Sequence, residues 1–360
     1  MRDTIVKMWR GEAETLRFIL YIPLLLLSVL YRFCLALREY AYGKGILKTE
    51  KAGIPVISVG NITLGGTGKT PIVDSIARRL KDRGFNPGII TRGYMRKRQG
   101  TFYVDVRNDT AEDVGDEAMM LARRSQIPIM VGANRILAID KGIEMFNIDT
   151  AILDDGFQLK NIMKDMDILV LNGEKGLTGH DLFPLGPYRE RAGRIEEADI
   201  ILVNKGELDD HTRHYAGRIP AFHVTYKPVY LCNMKDNLMT HYNFLMGKRI
   251  LAFSGLGDNR SFFNLLSNLG AKVVHTISYP DHHVYTERDI EQCASFQDVQ
   301  CMVTTEKDAV KLVRMELPEN LFYLSIDVFI EGEEDLLGLI TDRIDSYRNE
   351  LTKTDSRTAV

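Results

Sequence analysis

An α/β protein, with helices packed on a mainly parallel sheet, is the fold class this sequence predicts, and three observations carry the prediction. From residue 54 onward, apolar strand-like runs alternate with helix-like stretches, the pattern of a parallel sheet covered by helices. The alternation falls into two series separated by a stretch that loses its period, and a chain of 360 residues favours about two cores over one. Ahead of the first series lies Phe18 to Tyr31 (FILYIPLLLLSVLY), which is nearly all apolar.

That N-terminal segment continues past Arg32 to Leu37, about 20 residues, close to what a membrane-spanning helix needs. Arg32 interrupts it, however, and Pro23 can kink it. The uninterrupted part rises only about 21 Å as a helix, against a hydrocarbon core of about 30 Å. Arg2, Lys7, Arg10 and Arg17 precede it, and Arg32, Arg38, Lys44 and Lys48 follow, so the flanks give no orientation. A helix lying on or dipping into an anionic leaflet is the expectation. A buried core helix is the alternative; a cleaved signal peptide fits less well, because Arg32 and Arg38 crowd the cleavage region.

In the first series, strands are expected at 54–59, 88–91, 150–154, 167–172 and 199–204, with helices such as 116–124 and 134–146 between them. The second series gives strands at 250–254, 272–278, 301–305 and 321–326, a helix at 260–269 and another from Glu287. The expected organisation is a membrane-associated segment over 1–48, a first α/β domain over 49–225, a linker over 226–247, a smaller α/β domain over 248–350 and a disordered tail over 351–360. A net charge of -3 argues against a dedicated nucleic-acid binder. Cys34, Cys232, Cys293 and Cys301 lie far apart, without metal-ligand spacing, and read as reduced thiols. The sequence leaves oligomeric state undetermined.

The densest chemical signal is Gly60-Asn61-Ile62-Thr63-Leu64-Gly65-Gly66-Thr67-Gly68-Lys69-Thr70-Pro71, which follows an apolar strand and opens a helix. It reads as a phosphate-binding loop: Gly65, Gly66, Thr67 and Gly68 turn backbone N–H groups around an anion, Lys69 reaches the β/γ-phosphates, and the Thr70 hydroxyl can ligate Mg²⁺. The general pattern GxxxxGK wants glycine where Thr63 stands. Context compensates, since Pro71 suits a helix start, Ile72, Val73, Ile76 and Leu80 recur at helical spacing, and Gly84 can end the helix. A nucleoside triphosphate is the expected ligand.

A second signal is Ala151-Ile152-Leu153-Asp154-Asp155-Gly156-Phe157-Gln158, an apolar strand ending in acidic residues. In a parallel sheet those carboxylates lie at the edge from which a phosphate loop emerges, where they can hold Mg²⁺. Third, Val114-Gly115-Asp116-Glu117 opens a helix and Pro280-Asp281-His282-His283 sits in a loop. An Asp-oriented His can accept a hydroxyl proton near neutral pH. Spacing alone does not bring the two segments together, and on the residues alone an N-capping Asp116 with surface histidines at a turn is the favoured reading. The paired histidines lack a third metal ligand at suitable spacing.

Taken together, these residues resemble the tetraacyldisaccharide 4'-kinase family, the lipid A 4'-kinases. Seven blocks stand in the family's order: GNITLGGTGKTP, TRGY from Thr91, VGDE from Val114, DDGFQ from Asp154, FPLGPYRE from Phe183, DHHVYT from Asp281 and TTEKDAVKL from Thr304. A small residue at position 63 is usual in that family. The resemblance implies two α/β/α domains joined by an extended linker. It implies ATP- and Mg²⁺-dependent phosphorylation of the 4'-hydroxyl of a tetraacylated glucosamine disaccharide 1-phosphate, at the cytoplasmic face of the bacterial inner membrane. It assigns Lys69 and Thr70 to the ATP phosphates and Mg²⁺, Asp154 and Asp155 with Gln158 and Glu190 to the metal site, Asp116 and His282 to hydroxyl activation, and Arg92, Tyr94 and Arg135 to the phosphorylated sugar. It gives no role to Glu306 or Lys307.

Two other classes compete. A membrane-tethered ATPase with a KGGxGKT loop would carry lysine at position 64, where leucine stands. A GTPase would read guanine through NKxD, whereas Asn204-Lys205-Gly206-Glu207 replaces the aspartate by glutamate. Neither explains DHHVYT or TTEKDAVKL.

Overall fold

The computed structural model describes residues 8–9, 14–65, 68–174, 176 and 181–358. The strands in chain order are β1 Val56–Gly60, β2 Pro87–Thr91, β3 Phe102–Tyr103, β4 Ile129–Val131, β5 Thr150–Asp154, β6 Met166–Asn172, β7 Ile200–Asn204, β8 Ala221–Asn233, β9 Met239–His241, β10 Arg249–Ser254, β11 Lys272–Ser278, β12 Cys301–Thr305 and β13 Leu321–Ile330. The chain divides into two compact units that interleave: Met1–Lys69, Asp149–Val224 and Ile330–Val360 form the first, and Thr70–Ile148 with Thr225–Phe329 the second. The sequence reading placed its domains end to end. The observed units exchange chain segments.

In the first unit β5, β1, β6, β7 and the start of β8 pair in that order, all parallel. All five residues of β1 are buried, as expected for a central parallel strand covered on both faces. One core cluster gathers Ile62, Phe157, Leu169, Ile201 and Val203.

The apolar N-terminal segment forms one helix, Glu14–Gly43, with Pro23 inside it. Its buried stripe runs through Leu24, Ser28 and Leu35, a spacing that keeps one helix face inward. Along that stripe Ser28 Oγ donates to the Leu182 carbonyl at 3.0 Å, Tyr31 Oη to the Arg189 carbonyl at 2.9 Å, and Arg38 to Glu190 at 2.7 Å. The opposite face exposes Phe18, Ile22, Leu26, Leu30, Phe33 and Leu37. Only 17% of its most apolar window is buried, so the segment is a helix docked along one side.

In the second unit β11, β10, β12 and β13 form a parallel sheet. Its strands alternate as the period-2 pleat requires: Ile250 and Ala252 pack into one cluster, Leu251 and Phe253 into the other, so both faces are covered. β2 pairs with β4 in parallel, and β3 pairs antiparallel to β4.

The expected linker over 226–247 carries regular structure. β8 runs through it to Asn233 and pairs antiparallel with β9. Half-buried alternation and Pro228 hid this strand, because Pro cannot donate to a ladder. The helix Glu333–Thr358 likewise continues through 351–358, where a disordered tail was expected; no proline interrupts that stretch. The first and last parts of the first unit meet where Tyr347 Oη donates to the Ala52 carbonyl at 2.8 Å. All four cysteines are free, and Cys232, Cys293 and Cys301 are buried.

Candidate active site

The phosphate-loop sequence leaves β1 at Gly60, where a side chain has no room: a Cβ there would lie 2.5 Å from Phe157 Cβ and 2.7 Å from the Phe157 backbone nitrogen. Gly60 therefore lets the loop pass close against the acidic turn after β5. The FPLGPYRE block straps the loop from the other side. Leu64 N–H donates to the Pro187 carbonyl at 2.7 Å and Arg189 N–H to the Ile62 carbonyl at 2.8 Å. The Gln158 amide donates to the Asn61 carbonyl. Gly65 and Gly68 take positive φ, 114° and 75°, conformations glycine adopts without steric cost. Gly66 and Thr67 lie outside the described residues. Lys69 and Thr70 open the helix Lys69–Asp82, with Pro71 in its first turn.

Lys69 Nζ lies 3.4 Å from Asp155 Oδ1, and Arg189 Nη1 lies 2.7 Å from Asp155 Oδ2. Burial opposes ionisation of Asp155, but the Lys69 and Arg189 charges outweigh it and hold its carboxyl below the usual carboxylate range. Asp155 has a φ of 60°, a rare conformation for a non-glycine residue, and one that Asp tolerates. Asp154 is buried at the end of β5. Glu190 is 1% exposed, with Arg38 at 2.7 Å and Arg194 at 3.9 Å. Its charge is thus balanced by protein cations, and its carboxylate anchors the N-terminal helix. Among the described residues Asp154, Asp155 and Glu190 do not converge as a three-ligand cluster.

In the second unit the structure unites two motifs that the sequence left 166 positions apart. Asp116 is the first residue of the helix Asp116–Arg124, and its carboxylate meets His282 Nδ1 at 2.8 Å and 3.1 Å. Both side chains are 8% exposed. Gly115, with a φ of 97°, starts this helix close to the chain after β2, where a Cβ would sit 2.9 Å from the Tyr94 carbonyl. His282 itself has a φ of 61°, and the Tyr94 ring packs on its imidazole with centroids 5.1 Å apart. Burial opposes the Asp116 charge, yet the hydrogen bond from His282 and the Lys307 ammonium hold its carboxyl below the usual range. Asp116 is therefore an acceptor at neutral pH, which fixes the imidazole by its Nδ1 edge.

His283 turns the other way, stacking on Tyr279 at 4.5 Å with Nε2 3.3 Å from Asp289. The two histidines do not form a metal pair. A cavity of about 250 Å³ opens on the Asp116–His282 pair, lined by Tyr94, Met95, Met119, Arg123, Val284 and Arg314 among others. Arg92 and Arg135 are not in that lining. Arg92 is exposed, whereas Arg135 is buried and donates to the Gly132 carbonyl.

The TTEKDAVKL block gains a physical role here. Thr305 caps the helix Glu306–Leu312 by accepting from Asp308 N–H at 3.1 Å, while Asp308 accepts from Gly255 N–H at 2.9 Å. Lys307 Nζ lies 3.2 Å from Asp281, 3.3 Å from Glu117, 3.5 Å from His282 Nε2 and 3.9 Å from Asp116. Sequence reasoning gave this lysine no role. The Thr-x-x-Asp cap was the signal available for the helix start, but nothing local announces what Lys307 touches.

Residues 20–345 match the family model described as LpxK, tetraacyldisaccharide-1-P 4'-kinase. The chain is 34% identical over 350 residues to the tetraacyldisaccharide 4'-kinase of Shewanella halifaxensis, spanning 93% of this chain and 96% of that one. It is 34% identical over 341 residues to the tetraacyldisaccharide 4'-kinase of Syntrophus aciditrophicus, spanning 88% and 91%. A crystal structure of the "apo" form of LpxK from Aquifex aeolicus in complex with ATP superimposes with a TM-score of 0.75 at 33% identity, covering 91% of this chain and 99% of that one.

Proposed function

This chain belongs to the tetraacyldisaccharide-1-P 4'-kinase family, and we propose that it transfers the γ-phosphoryl group of ATP to the 4'-hydroxyl of a tetraacylated glucosamine disaccharide 1-phosphate, forming a lipid A precursor. The observation that carries the reading is the Asp116–His282 hydrogen bond, 2.8 Å long, at the mouth of a cavity. Phosphoryl transfer asks a protein mainly for positioning and charge compensation. The acceptor hydroxyl must also lose its proton, and the Asp116–His282 pair takes it, with the Asp116 carboxylate stabilising the imidazolium that results. Arg123 and Arg314 in the lining suit an anionic acceptor, and Met95, Met119 and Val284 suit one that carries apolar groups.

On the nucleotide side, the loop from Gly65 to Gly68 holds the phosphates and Lys69 neutralises them, leaving Asp155 in exchange. The hard oxygen donors Thr70, Asp154 and Asp155 have the chemistry Mg²⁺ requires, and Asp155 Oδ1 faces the Lys69 ammonium at 3.4 Å, a loose charge contact rather than a firm hydrogen bond. When bound, Mg²⁺ offsets charge between the β- and γ-phosphates. Gln158 holds the loop through Asn61, and Glu190 holds the N-terminal helix, so both support this site from behind.

A substrate with four acyl chains stays in a bilayer, at about 0.8 kcal/mol per buried CH₂, so the enzyme works at a membrane surface. The exposed face of Glu14–Gly43 supports that location, and its docked polar residues favour a helix lying on the cytoplasmic leaflet of the inner membrane over one spanning it. Incubation with ATP, Mg²⁺ and the tetraacyl disaccharide 1-phosphate in detergent micelles tests the proposal. Transfer of γ-phosphate to the sugar is the expected result; no transfer under conditions where ATP binds excludes the activity.

A further inference from the structure

Asp116, Glu117 and His282 place donor atoms within 4.8 Å of one another, the only such group of three among the described residues. That geometry would suit a divalent cation, but a cation of the chain already sits against it. The Lys307 ammonium lies 3.3 Å from Glu117, 3.9 Å from Asp116 and 3.5 Å from His282 Nε2, and it reaches Asp281 at 3.2 Å. Lys307 is deeply covered, at 14% side-chain exposure. It stands on the helix Glu306–Leu312 and so joins three elements: its own helix, the turn carrying Asp281 and His282, and the start of Asp116–Arg124.

We propose that Lys307 is a positioning residue for the transfer reaction, whose ammonium pins the Asp281–His282 turn to the helix bearing Asp116 and keeps the Asp116–His282 pair in its proton-accepting form. The inference rests on the reading of that pair as the proton acceptor. The charges facing His282 decide its sign. From the helix Asp116–Arg124 come Asp116 and Glu117; from its own turn comes Asp281, with Oδ2 3.4 Å from Nε2. Tyr94, after β2, contributes a ring face. From Glu306–Leu312 come Lys307 and Lys311, but Lys311 is paired with Asp308 at 2.7 Å. Without Lys307, three carboxylates would surround one imidazole, and the cheapest compensation would be to protonate it. A pair that already holds its proton cannot accept another from a hydroxyl. The ammonium is itself secured, because burial disfavours its charge but Asp116, Glu117 and Asp281 more than offset that and raise its pKa.

Asp116 and His282 share one hydrogen bond, so the observable is the apparent acidic limb of the rate profile rather than a value for either residue. In the micelle assay, kcat/KM is measured from pH 6 to 9.5 for the wild type and for Lys307→Met, Lys307→Arg and His282→Ala. Lys307→Met, which keeps length and loses charge, should move the acidic limb up by about one pH unit or more. Lys307→Arg should leave the limb in place while losing up to about tenfold in rate. A limb that stays put in Lys307→Met, whether the rate falls uniformly or not at all, overturns the inference. Full activity in His282→Ala would instead overturn the reading of the pair. Should Lys307→Met not fold, Lys307→Gln takes its place, and failure of both to fold makes the lysine a structural residue and also overturns the inference.

Discussion

Replacing Arg124 by methionine removes the hub of a buried charge network in the second unit. Its Nε lies 2.7 Å from Asp74, Nη1 3.1 Å from Glu306 and Nη2 3.1 Å from Asp327. Asp74 and Asp327 keep a second partner in Arg78, at 3.0 Å and 2.7 Å. Glu306, 13% exposed, keeps only the Ser325 hydroxyl at 3.1 Å among its described partners. The cost is therefore that of one buried carboxylate stripped of its cation, about 3–5 kcal/mol. Hydrogen exchange of the helices Asp116–Arg124 and Glu306–Leu312 reads it locally, and amide exchange should accelerate about 10²- to nearly 10⁴-fold. The pH dependence fixes the cause. Burial already pushes the Glu306 carboxyl up, and Arg124 is the chief charge holding it down. With Arg124 gone the folded-state value rises further above the unfolded one, so the folded state binds the extra proton. Stability is then lost as pH climbs from about 4.3 through the raised value. The deficit should be largest near pH 8 and shrink toward pH 5, and adding Glu306→Gln should recover part of it. A deficit below about 1 kcal/mol that ignores pH would refute the reasoning.

Asp116→Ala and His282→Ala should each lower turnover by about 10² or more while leaving ATP binding, followed by calorimetric titration, largely intact; equal loss of ATP affinity would assign them a structural role. Gly60→Ala drives a Cβ against the Phe157 backbone, and should cost about 1–3 kcal/mol in denaturant titration with weaker ATP binding; unchanged stability and affinity would mean the loop is free to shift. Leu26→Glu with Leu30→Glu, both on the exposed face of the N-terminal helix, should sharply reduce sedimentation with anionic vesicles and spare ATP binding. Retained vesicle binding would place the membrane contact elsewhere.

The parallel sheets were legible because their strands are fully buried and read as continuous apolar runs; Ile250 to Ser254 and Cys301 to Thr305 fall where periodicity put them. β8 was not legible, since half-buried polar residues alternate along it around Pro228. Interleaved units left no trace either, because local periodicity reports each strand and helix but not which sheet receives it. At the site, the phosphate loop and acidic strand end announce themselves through local chemistry. The partners of Asp116 and Lys307 do not, as their contacts reach across 166 and 26 positions and depend on how two helices and a turn are brought together.

The docking of Glu14–Gly43 sets an order of events during synthesis. Ser28 and the carbonyl it binds are 154 positions apart, so at ribosomal speeds of about 5–20 residues per second the helix waits roughly 8–30 s for its seat on the protein to be made. Throughout that interval lipid is the partner its exposed apolar residues suit. On the membrane location proposed above, the nascent chain would reach the bilayer before the catalytic fold exists, and the finished enzyme would mature already moored there.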